Sequence, residues 1–188
     1  MKVSQNTKGC FIIETPRLFL RDWQESDLEI YAQINADPAV MQYFPAVLSR
    51  EESDQHAHRL QQQLAAKGYG VWALVYKAEN RFIGFTGLHE PSFPAWFIPC
   101  TEIGWRLDKK YWNRGLASEA AKACIDFARN HTFLKEIWSF TAVQNSRSEK
   151  LMQRIHMQPK GRFLHPGVPE GHWLQEHVLY HLALHLPA

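Results

Sequence analysis

Alternating and short apolar runs along the chain predict seven β-strands. In residues 101–107, apolar side chains alternate with charged or small ones, as in a strand with two different faces. One face carries Glu102, Gly104 and Arg106, and the other carries Ile103, Trp105 and Leu107. The other predicted strands are 17–23, 71–76, 81–88, 136–141, 157–163 and 175–182, with 71–76 and 81–88 as an antiparallel pair.

Helical spacing predicts two helices before the strand at 71–76. Ser26 and Glu29 have the spacing of a capping box, and the apolar positions that follow share one helical face up to Pro38. Ser49 and Glu52 repeat this signal at the start of a longer helix, which Gly68 ends.

Two more helices are predicted in the second half of the chain. Residues 115–131 have apolar side chains at helical spacing. Asn145 is placed to cap a last helix. One face of this helix combines a hydroxyl with apolar neighbours, namely Ser148, Leu151, Met152 and Ile155. Strands interleaved with helices predict a mixed α/β sheet.

Composition indicates one globular domain, 1–188, in which residues 1–14 are expected to be a flexible leader. The chain has 188 residues, of which 45% are hydrophobic and 13% aromatic, which is unlike a disordered chain. Its formal net charge is only +2. A broad basic field is therefore missing, and we expect no nucleic-acid partner.

Targeting signals and cysteine pairs are not evident. No apolar run has the length of a signal peptide or a membrane span, which predicts a cytoplasmic protein without a membrane partner. Cys10, Cys100 and Cys124 are widely spaced and form no CxxC motif, as expected for free thiols in a reducing compartment.

The junction between the strand at 101–107 and the helix at 115–131 is a candidate phosphate site. The first amides of a helix lack internal partners and carry positive potential, and Gly115 and Ala117 are small enough for an anion to approach. The alternative is that Gly115 merely begins a helix. No Walker or Rossmann glycine motif indicates another nucleotide.

Several motifs together resemble the RimJ/RimL-like branch of the GNAT N-acetyltransferases. The motifs are TPRLFLR at 15–21, FIGFTGL at 82–88, EIGWRL at 102–107, WNRGLASEA at 112–120, NSRS at 145–148, and 165–180 near the end. The resemblance covers nearly all of residues 15–182. It implies one domain with a central twisted sheet, mixed but mostly antiparallel, of six to seven strands flanked by about four helices.

The resemblance also implies an acetyl-CoA site and a group of residues that hold it. Main-chain amides of the loop at 112–117 would bind the pyrophosphate, and the strands at 102–107 and 137–141 would splay apart to admit the pantetheine arm. The implied binding residues are Arg106, Leu107, Trp112, Asn113, Arg114, Gly115, Leu116, Ala117 and Asn145. Trp112 replaces the usual first residue of the loop, and Asn145 can equally be only a helix cap.

Glu102 is the candidate general base. Acetyl transfer requires a deprotonated amine, and Glu102 lies on the polar face of its strand just before the cofactor loop. The alternatives are an ordinary exposed glutamate or an ion-pair partner of Arg106.

Ser148 is the candidate partner of the departing thiolate. Many GNAT enzymes carry a tyrosine acid at the position of Met152, which has no proton to donate. Ser148 resembles the serine that RimL-like enzymes place near the leaving sulfur. The alternative is a buried serine bonded back to a helix carbonyl.

The acceptor side differs from the family pattern. His156 stands where the family usually has glycine, and Leu164 where close relatives often have an acid before His165. Aromatic and histidine side chains in two loops are candidates to line an acceptor pocket, although such side chains more often only pack. They are His89, Trp96, Phe97, His165, His172 and Trp173.

The ten histidines do not form a recognisable metal motif. His177, His181 and His185 alternate with apolar residues, which predicts the solvated face of an edge strand. We therefore expect no metal.

The sequence predicts an acetyl-CoA-dependent N-acetyltransferase, with acetyl-CoA as co-substrate and direct attack by the amine in a ternary complex. The acceptor is a primary amine, either a protein N-terminal α-amino group or a small molecule such as a metabolite or an antibiotic. The alternative is a CoA-binding sensor or interaction module without turnover, which Met152 motivates. We expect a monomer or a homodimer.

Overall fold

The computed structural model describes residues 1–184, in which nine strands form one sheet. The order across the sheet is β1-β2-β3-β4-β5-β6-β7-β9-β8, and all neighbours are antiparallel except β6 and β7. The strands are β1 (Lys2–Gln5), β2 (Phe11–Glu14), β3 (Leu18–Arg21), β4 (Val71–Tyr76), β5 (Arg81–His89), β6 (Glu102–Leu107), β7 (Glu136–Ala142), β8 (Gln158–Leu164) and β9 (Glu176–Ala183). The predicted mixed, mostly antiparallel sheet is confirmed, with two more strands than the sequence predicts.

Five α-helices accompany the sheet in the described part of the chain. They are α1 (Glu25–Ala36), α2 (Pro38–Met41), α3 (Arg50–Lys67), α4 (Leu116–His131) and α5 (Ser146–Arg154). Lys77–Glu79 and Lys109–Tyr111 form 3-10 helices. The four predicted helices are present, and α2 is an additional single turn.

Two of the predicted helix starts have the capping contacts that the sequence indicates. Ser49 and Glu52 form the capping box of α3, and Gly68 ends that helix in the left-handed conformation with φ 74°. Asn145 caps α5, where its Oδ1 accepts a hydrogen bond from the amide of Ser148 at 3.2 Å. These local signals are reliable because each satisfies an orphan backbone group within one turn.

The predicted capping box of Ser26 and Glu29 is wrong. Gln24 is the N-cap of α1, and the Asp27 carboxylate accepts a hydrogen bond from the backbone amide of Gln24 at 2.8 Å. Asp27 is only 1% exposed and forms an ion pair with Arg21 of β3 at 2.7 Å. The Asp27 carboxylate thus both caps the amide of Gln24 and pairs with Arg21, and these two contacts set the start of α1.

Residues 1–14, expected to be a flexible leader, contain β1 and β2. These strands form an antiparallel hairpin, and Ile13 of β2 pairs with Leu20 of β3. Ile13 is fully buried, and the indole of Trp72 donates to the carbonyl of Phe11 at 2.8 Å. Strands of four residues direct only two side chains inward, so their alternation is too short to stand out in the sequence.

Helices lie on both faces of the sheet. On β6, Arg106 contacts Asn35 of α1, whereas the preceding Trp105 contacts Ser148 of α5. Consecutive strand residues point to opposite faces, so α1 and α5 lie on opposite sides of β6. On β4, Trp72 packs against Phe127 of α4 with ring centroids 5.2 Å apart. The site therefore has one wall from each side of the sheet.

β6 and β7 diverge soon after they meet. Their only register pair in residues 1–184 is Glu102 with Trp138. The amide of Trp138 donates to the carbonyl of Thr101, and the hydroxyl of Ser139 donates to the carbonyl of Ile103, both at 2.9 Å. The splay that the family resemblance implies is confirmed, and Glu102 lies at its vertex.

β9 is an internal strand between β7 and β8, so the prediction of an edge strand is wrong. His177 is 9% exposed, and its ring packs near Phe140 and Phe163, with centroids 6.2 and 5.6 Å away. Burial lowers the pKa of His177 to about 4, so the ring is neutral and tolerates an apolar environment. His181 is partly exposed, and His185 lies outside the described residues.

Candidate functional site

A cavity of about 1100 Å³ opens where β6 and β7 diverge. Its walls come from β6, the start of α4, α5 and the loops before β6 and after β8. The cavity brings together all the predicted site residues except Arg114. They are Glu102, Arg106, Leu107, Trp112, Asn113, Gly115, Leu116, Ala117, Asn145 and Ser148.

The backbone before α4 forms a cradle of amide groups. Asn113 and Gly115 both have left-handed φ, 59° and 74°, which turns successive amides toward the same side. Gly115 is the N-cap of α4 and makes no side-chain capping bond. Among residues 1–184, the amides at 113–118 donate to no other protein group. This arrangement suits an anion, which would satisfy those amides.

Arg114 does not line the cavity. Its guanidinium lies 5.2 Å from the ring centroid of Tyr111, and its carbonyl accepts a hydrogen bond from Arg17 at 2.8 Å. The backbone of Arg114 thus belongs to the cradle, while its side chain packs outside it.

Sequence reasoning missed a network that holds the cradle against β3. Arg17 contacts Glu119 of α4 at 2.6 Å, and the hydroxyl of Thr15 donates to the same carboxylate at 2.6 Å. Burial alone raises the pKa of Glu119, but the hydrogen bonds from Thr15 and Arg17 outweigh it and lower this pKa below its ordinary value. Glu119 is therefore ionised at neutral pH. The sequence motifs at 15–21 and 112–120 contain all three residues of this network, so their joint presence is the signal from which the contact could have been predicted.

Trp112 fastens the end of β6 to the cradle. Its indole N–H donates to the carbonyl of Leu107 at 2.9 Å. The guanidinium of Arg147 at the start of α5 lies 4.6 Å from the centroid of the Trp112 ring, a cation–π distance. Trp112 therefore has its own structural contacts at the position where it departs from the family pattern.

Glu102 is paired with His89. The two residues are register partners on β6 and β5, and His89 Nε2 lies 3.1 Å from Glu102 Oε2. Glu102 is 8% exposed and both side chains line the cavity. Burial disfavours protonated His89, but the Glu102 carboxylate outweighs this and raises the pKa of His89 above its ordinary value. No ion pair joins Glu102 to Arg106 within residues 1–184.

The hydroxyl of Ser148 accepts two hydrogen bonds and retains its own proton. The indole N–H of Trp105 lies 3.2 Å and the amide of Asn145 lies 3.1 Å from Ser148 Oγ. A hydroxyl has two acceptor lone pairs and one donor, so its donor remains available to the cavity. The alternative of a bond back to a helix carbonyl is not seen in the described residues.

Met152 leaves the usual acid position without a donor. Met152 belongs to α5, is fully buried and lines the cavity. Ser148, one turn earlier on the same face, is the nearest hydroxyl of this helix along the chain.

Only some of the histidine and aromatic candidates for the acceptor pocket line the cavity. Among the six candidates, His89 and His165 line the cavity, and Phe93 and Phe140 join them. Phe97 packs on Trp138 in a separate aromatic cluster, with centroids 5.8 Å apart. Trp96, His172 and Trp173 do not line the cavity.

The described residues contain no group of three His, Cys, Asp or Glu side chains placed to hold a metal ion. Between residues 1 and 184, no helix is both long and apolar enough to cross a membrane.

Comparison with known proteins identifies the family. The model described as "Acetyltransferase (GNAT) domain" matches residues 17–158. The chain belongs to the GNAT acetyltransferase family. This GNAT protein is an acyltransferase, and the reaction general to its family is transfer of an acetyl group to an amine. YnaD, an uncharacterized N-acetyltransferase of Bacillus subtilis strain 168, is 27% identical over 167 residues, which cover 88% of this chain and 93% of YnaD.

Solved structures share the fold of this GNAT acetyltransferase. A GNAT-family acetyltransferase from Bacillus anthracis superimposes with a TM-score of 0.76 and 25% identity, covering 92% of this chain and 98% of that one. RimL, a ribosomal L7/L12 alpha-N-protein acetyltransferase solved with coenzyme A, gives a TM-score of 0.73 and 20% identity, covering 92% and 97%. The RimL likeness concerns the fold alone.

Proposed function

We propose that this GNAT acetyltransferase moves the acetyl group of acetyl-CoA to a primary amine by direct attack within a ternary complex. The observation that carries the proposal is the convergence on one cavity of the amide cradle, Glu102 and Ser148. The cavity lies where β6 and β7 diverge, so both faces of the sheet reach it. The donor and the acceptor can therefore enter from opposite sides.

The residues of the cavity fit acetyl-CoA. The amides at 113–118 suit the pyrophosphate, and positive potential at the start of the sixteen-residue helix α4 supports an anion there. Backbone groups of successive strand residues point to alternate sides, and the carbonyls of Thr101 and Ile103 point toward β7. The amide and carbonyl of Trp105 consequently face the gap, where the pantetheine arm would satisfy them.

Three side chains divide the chemistry. Acetyl-CoA supplies an acyl group on a good leaving thiol. Glu102 accepts a proton from the amine as the new N–C bond forms, and His89 fixes the orientation of the carboxylate. Ser148 donates a hydrogen bond to the sulfur as the C–S bond breaks, and the thiolate then takes up a proton.

The acceptor of the proposed reaction is a primary amine. Glu102 can accept a proton from either of two kinds of amine. One is the N-terminal α-amino group of a protein, which is the acceptor that the name of RimL specifies, and the other is the amine of a small molecule.

Calorimetric titration with acetyl-CoA tests the donor site. We expect saturable binding of acetyl-CoA and desulfo-CoA, because the cradle and the gap recognise groups that both share, and no binding of ATP or NAD at equal concentrations. Thiol release in the presence of an amine panel then tests transfer. Failure of acetyl-CoA to bind would overturn the assignment of the cradle.

A CoA-binding module without turnover is the second candidate, favoured by the buried Met152 at the usual acid position. It predicts the same titration result but no thiol release with any amine. The two assays therefore separate the candidates.

Replacing Glu119 with glutamine should weaken acetyl-CoA binding about 10- to 100-fold, because a hydrogen bond to a charged group contributes roughly 1.5–3 kcal/mol and this one helps to hold the cradle. The dissociation constant from calorimetry measures this effect. Asp126→Asn is the matched control, since Asp126 lies on the same helix and its carboxylate pairs at 3.8 Å with Arg129, away from the cradle. Equal affinities of the two variants would show that the Thr15–Arg17–Glu119 network does not position the cradle.

A further inference from the structure

Arg106 is a partly buried cation that has no carboxylate partner in residues 1–184. One of its guanidinium nitrogens donates to Asn35 Oδ1 at 2.7 Å. Its Nε is buried and makes no hydrogen bond. Eleven ion pairs are present in the same part of the chain, and Arg106 belongs to none of them.

The surroundings of Arg106 are neutral. Its guanidinium carbon lies 4.3 Å from the ring centroid of Phe44 and 5.5 Å from that of Phe85. The nearby His56 bonds the hydroxyl of Tyr31 at 2.7 Å. Burial, followed by the charges of Arg106 and Arg59, lowers the pKa of His56 to about 4, so this ring is uncharged at neutral pH.

A charge in such a place normally has a partner. Removing a cation from water is costly unless an anion and hydrogen bonds compensate, and stacking on two rings compensates only in part. Arg106 lines the cavity, so a molecule in the cavity can supply the anion.

The face of β6 that carries Arg106 also carries Glu102. Gly104 lies between them, and a β-carbon added there would contact only His89, at 3.7 Å. Glu102 and Arg106 are four residues apart, roughly 13 Å between Cα atoms in a strand. This face of β6 thus has the carboxylate of Glu102 at one end, the guanidinium of Arg106 at the other, and no side chain at Gly104 between them.

We infer that the acceptor is an amine that also carries a carboxylate, so that Glu102 receives the amine while Arg106 binds the carboxylate. This inference rests on the proposed function and narrows its acceptor class. The chemistry is shared by free amino acids with separated ends and by peptides whose N-terminus is followed by an acidic side chain. Arg106 was predicted to bind the cofactor, and in this assignment its side chain serves the acceptor.

Matched acceptor pairs test the inference. Thiol release is measured with 4-aminobutyrate, 6-aminohexanoate and the tripeptide amide Ala-Ala-Asp, each against its uncharged carboxamide counterpart, the peptide against Ala-Ala-Asn. We expect at least one acid to have a kcat/KM about 10- to 100-fold above its partner, the range for a hydrogen bond to a charged group. Preference in the aminoalkanoate pairs identifies a small molecule, and preference in the peptide pair identifies a protein N-terminus.

Variants of Arg106 test whether this residue causes the preference for acids over carboxamides. Arg106→Met should bring the kcat/KM of each acid and of its carboxamide to about the same value, and Arg106→Lys should keep part of the difference. The Tm of Arg106→Met is measured alongside, because this change also leaves the buried Asn35 Oδ1 without its donor. Arg106→Lys keeps a cationic donor and separates loss of charge from loss of stability. Arg162→Met is the control, since Arg162 lies on β8, pairs with Glu176 and is not part of the cavity wall.

A binding measurement keeps this test separate from that of the proposed function. Calorimetry titrates 6-aminohexanoate, 6-aminohexanamide and the two tripeptide amides into the protein saturated with CoA. Tighter binding of an acid supports the inference even where no thiol is released, a result that would overturn only the proposed function. Equal binding and equal turnover of acids and carboxamides would overturn the inference and leave amine acetylation intact.

Discussion

Replacing Glu102 with glutamine is expected to lower kcat/KM for amine acetylation by about 10²- to 10⁴-fold, the usual contribution of a positioned general base. Glutamine has nearly the same shape and can still contact His89, but it cannot accept the proton that the attacking amine must lose. Because Glu102 lies outside the amide cradle, acetyl-CoA should bind with unchanged affinity. Steady-state thiol release and calorimetry together measure both quantities.

The position of Glu102 in the fold explains the size of this expectation. It is the first residue of β6 and, within residues 1–184, the one that pairs in register with β7, so its carboxylate lies at the vertex of the gap and lines the cavity. His89 holds one carboxylate oxygen at 3.1 Å, which leaves the other oxygen for the amine or an intervening water. No other carboxylate lines the cavity in the described residues.

Glu136→Gln provides the matched control. Glu136 on the neighbouring β7 also contacts a histidine, His181, at 2.9 Å, but it does not line the cavity. We expect this variant to keep wild-type turnover. Wild-type turnover in Glu102→Gln, or an equal loss in both variants, would contradict the assignment of Glu102 as the base.

The sequence predicts every long element of this fold, because each has a local cause. The alternation in β6 and the capping groups Ser49 and Asn145 act within one strand or one helical turn, so they can be identified without knowing the fold. A helix start always leaves orphan amides, so the sequence marks residues 112–117 as a candidate anion site, but their assignment to the pyrophosphate comes from the family resemblance.

What the sequence does not reveal depends on contacts between distant segments. Glu119 is held by Thr15, which lies more than a hundred residues away along the chain. His177 looks polar in the sequence, yet burial keeps its ring neutral among aromatic side chains. In both cases residues that are far apart in the sequence decide the environment of the side chain.

Arg106 shows what the alternation of side chains along a strand can and cannot predict. The pattern correctly places it on the face of Glu102, but the pattern does not show which helix covers that face. The structure brings Asn35 and Phe44 to this side, so the side chain lies apart from Ser148 and α5. The acceptor role that we infer for its side chain, in place of the predicted cofactor binding, follows only once the structure shows what covers this face.

Replacing Ser148 with alanine is expected to lower turnover by about 10²-fold or more, comparable to the loss of one hydrogen-bond donor that stabilises developing charge. Its Oγ is held by Trp105 and Asn145, which fixes the direction of the one remaining donor without any rearrangement during the reaction. The leaving thiolate is the charge that forms in this part of the cavity. Single-turnover thiol release isolates the chemical step from product release.

Ser148→Thr is the matched variant, since it retains the hydroxyl and should recover part of the turnover. A second readout concerns the thiolate itself: as the pH rises through the ionisation of the CoA thiol, the wild-type protein should bind CoA increasingly more tightly than desulfo-CoA. Ser148→Ala should lose this difference, because the donor to sulfur is gone, while Asn145 still contacts Thr141 and keeps its place. A serine that only supports packing would lower the Tm without changing the ratio of the two affinities, and this result would exclude a direct role at the sulfur.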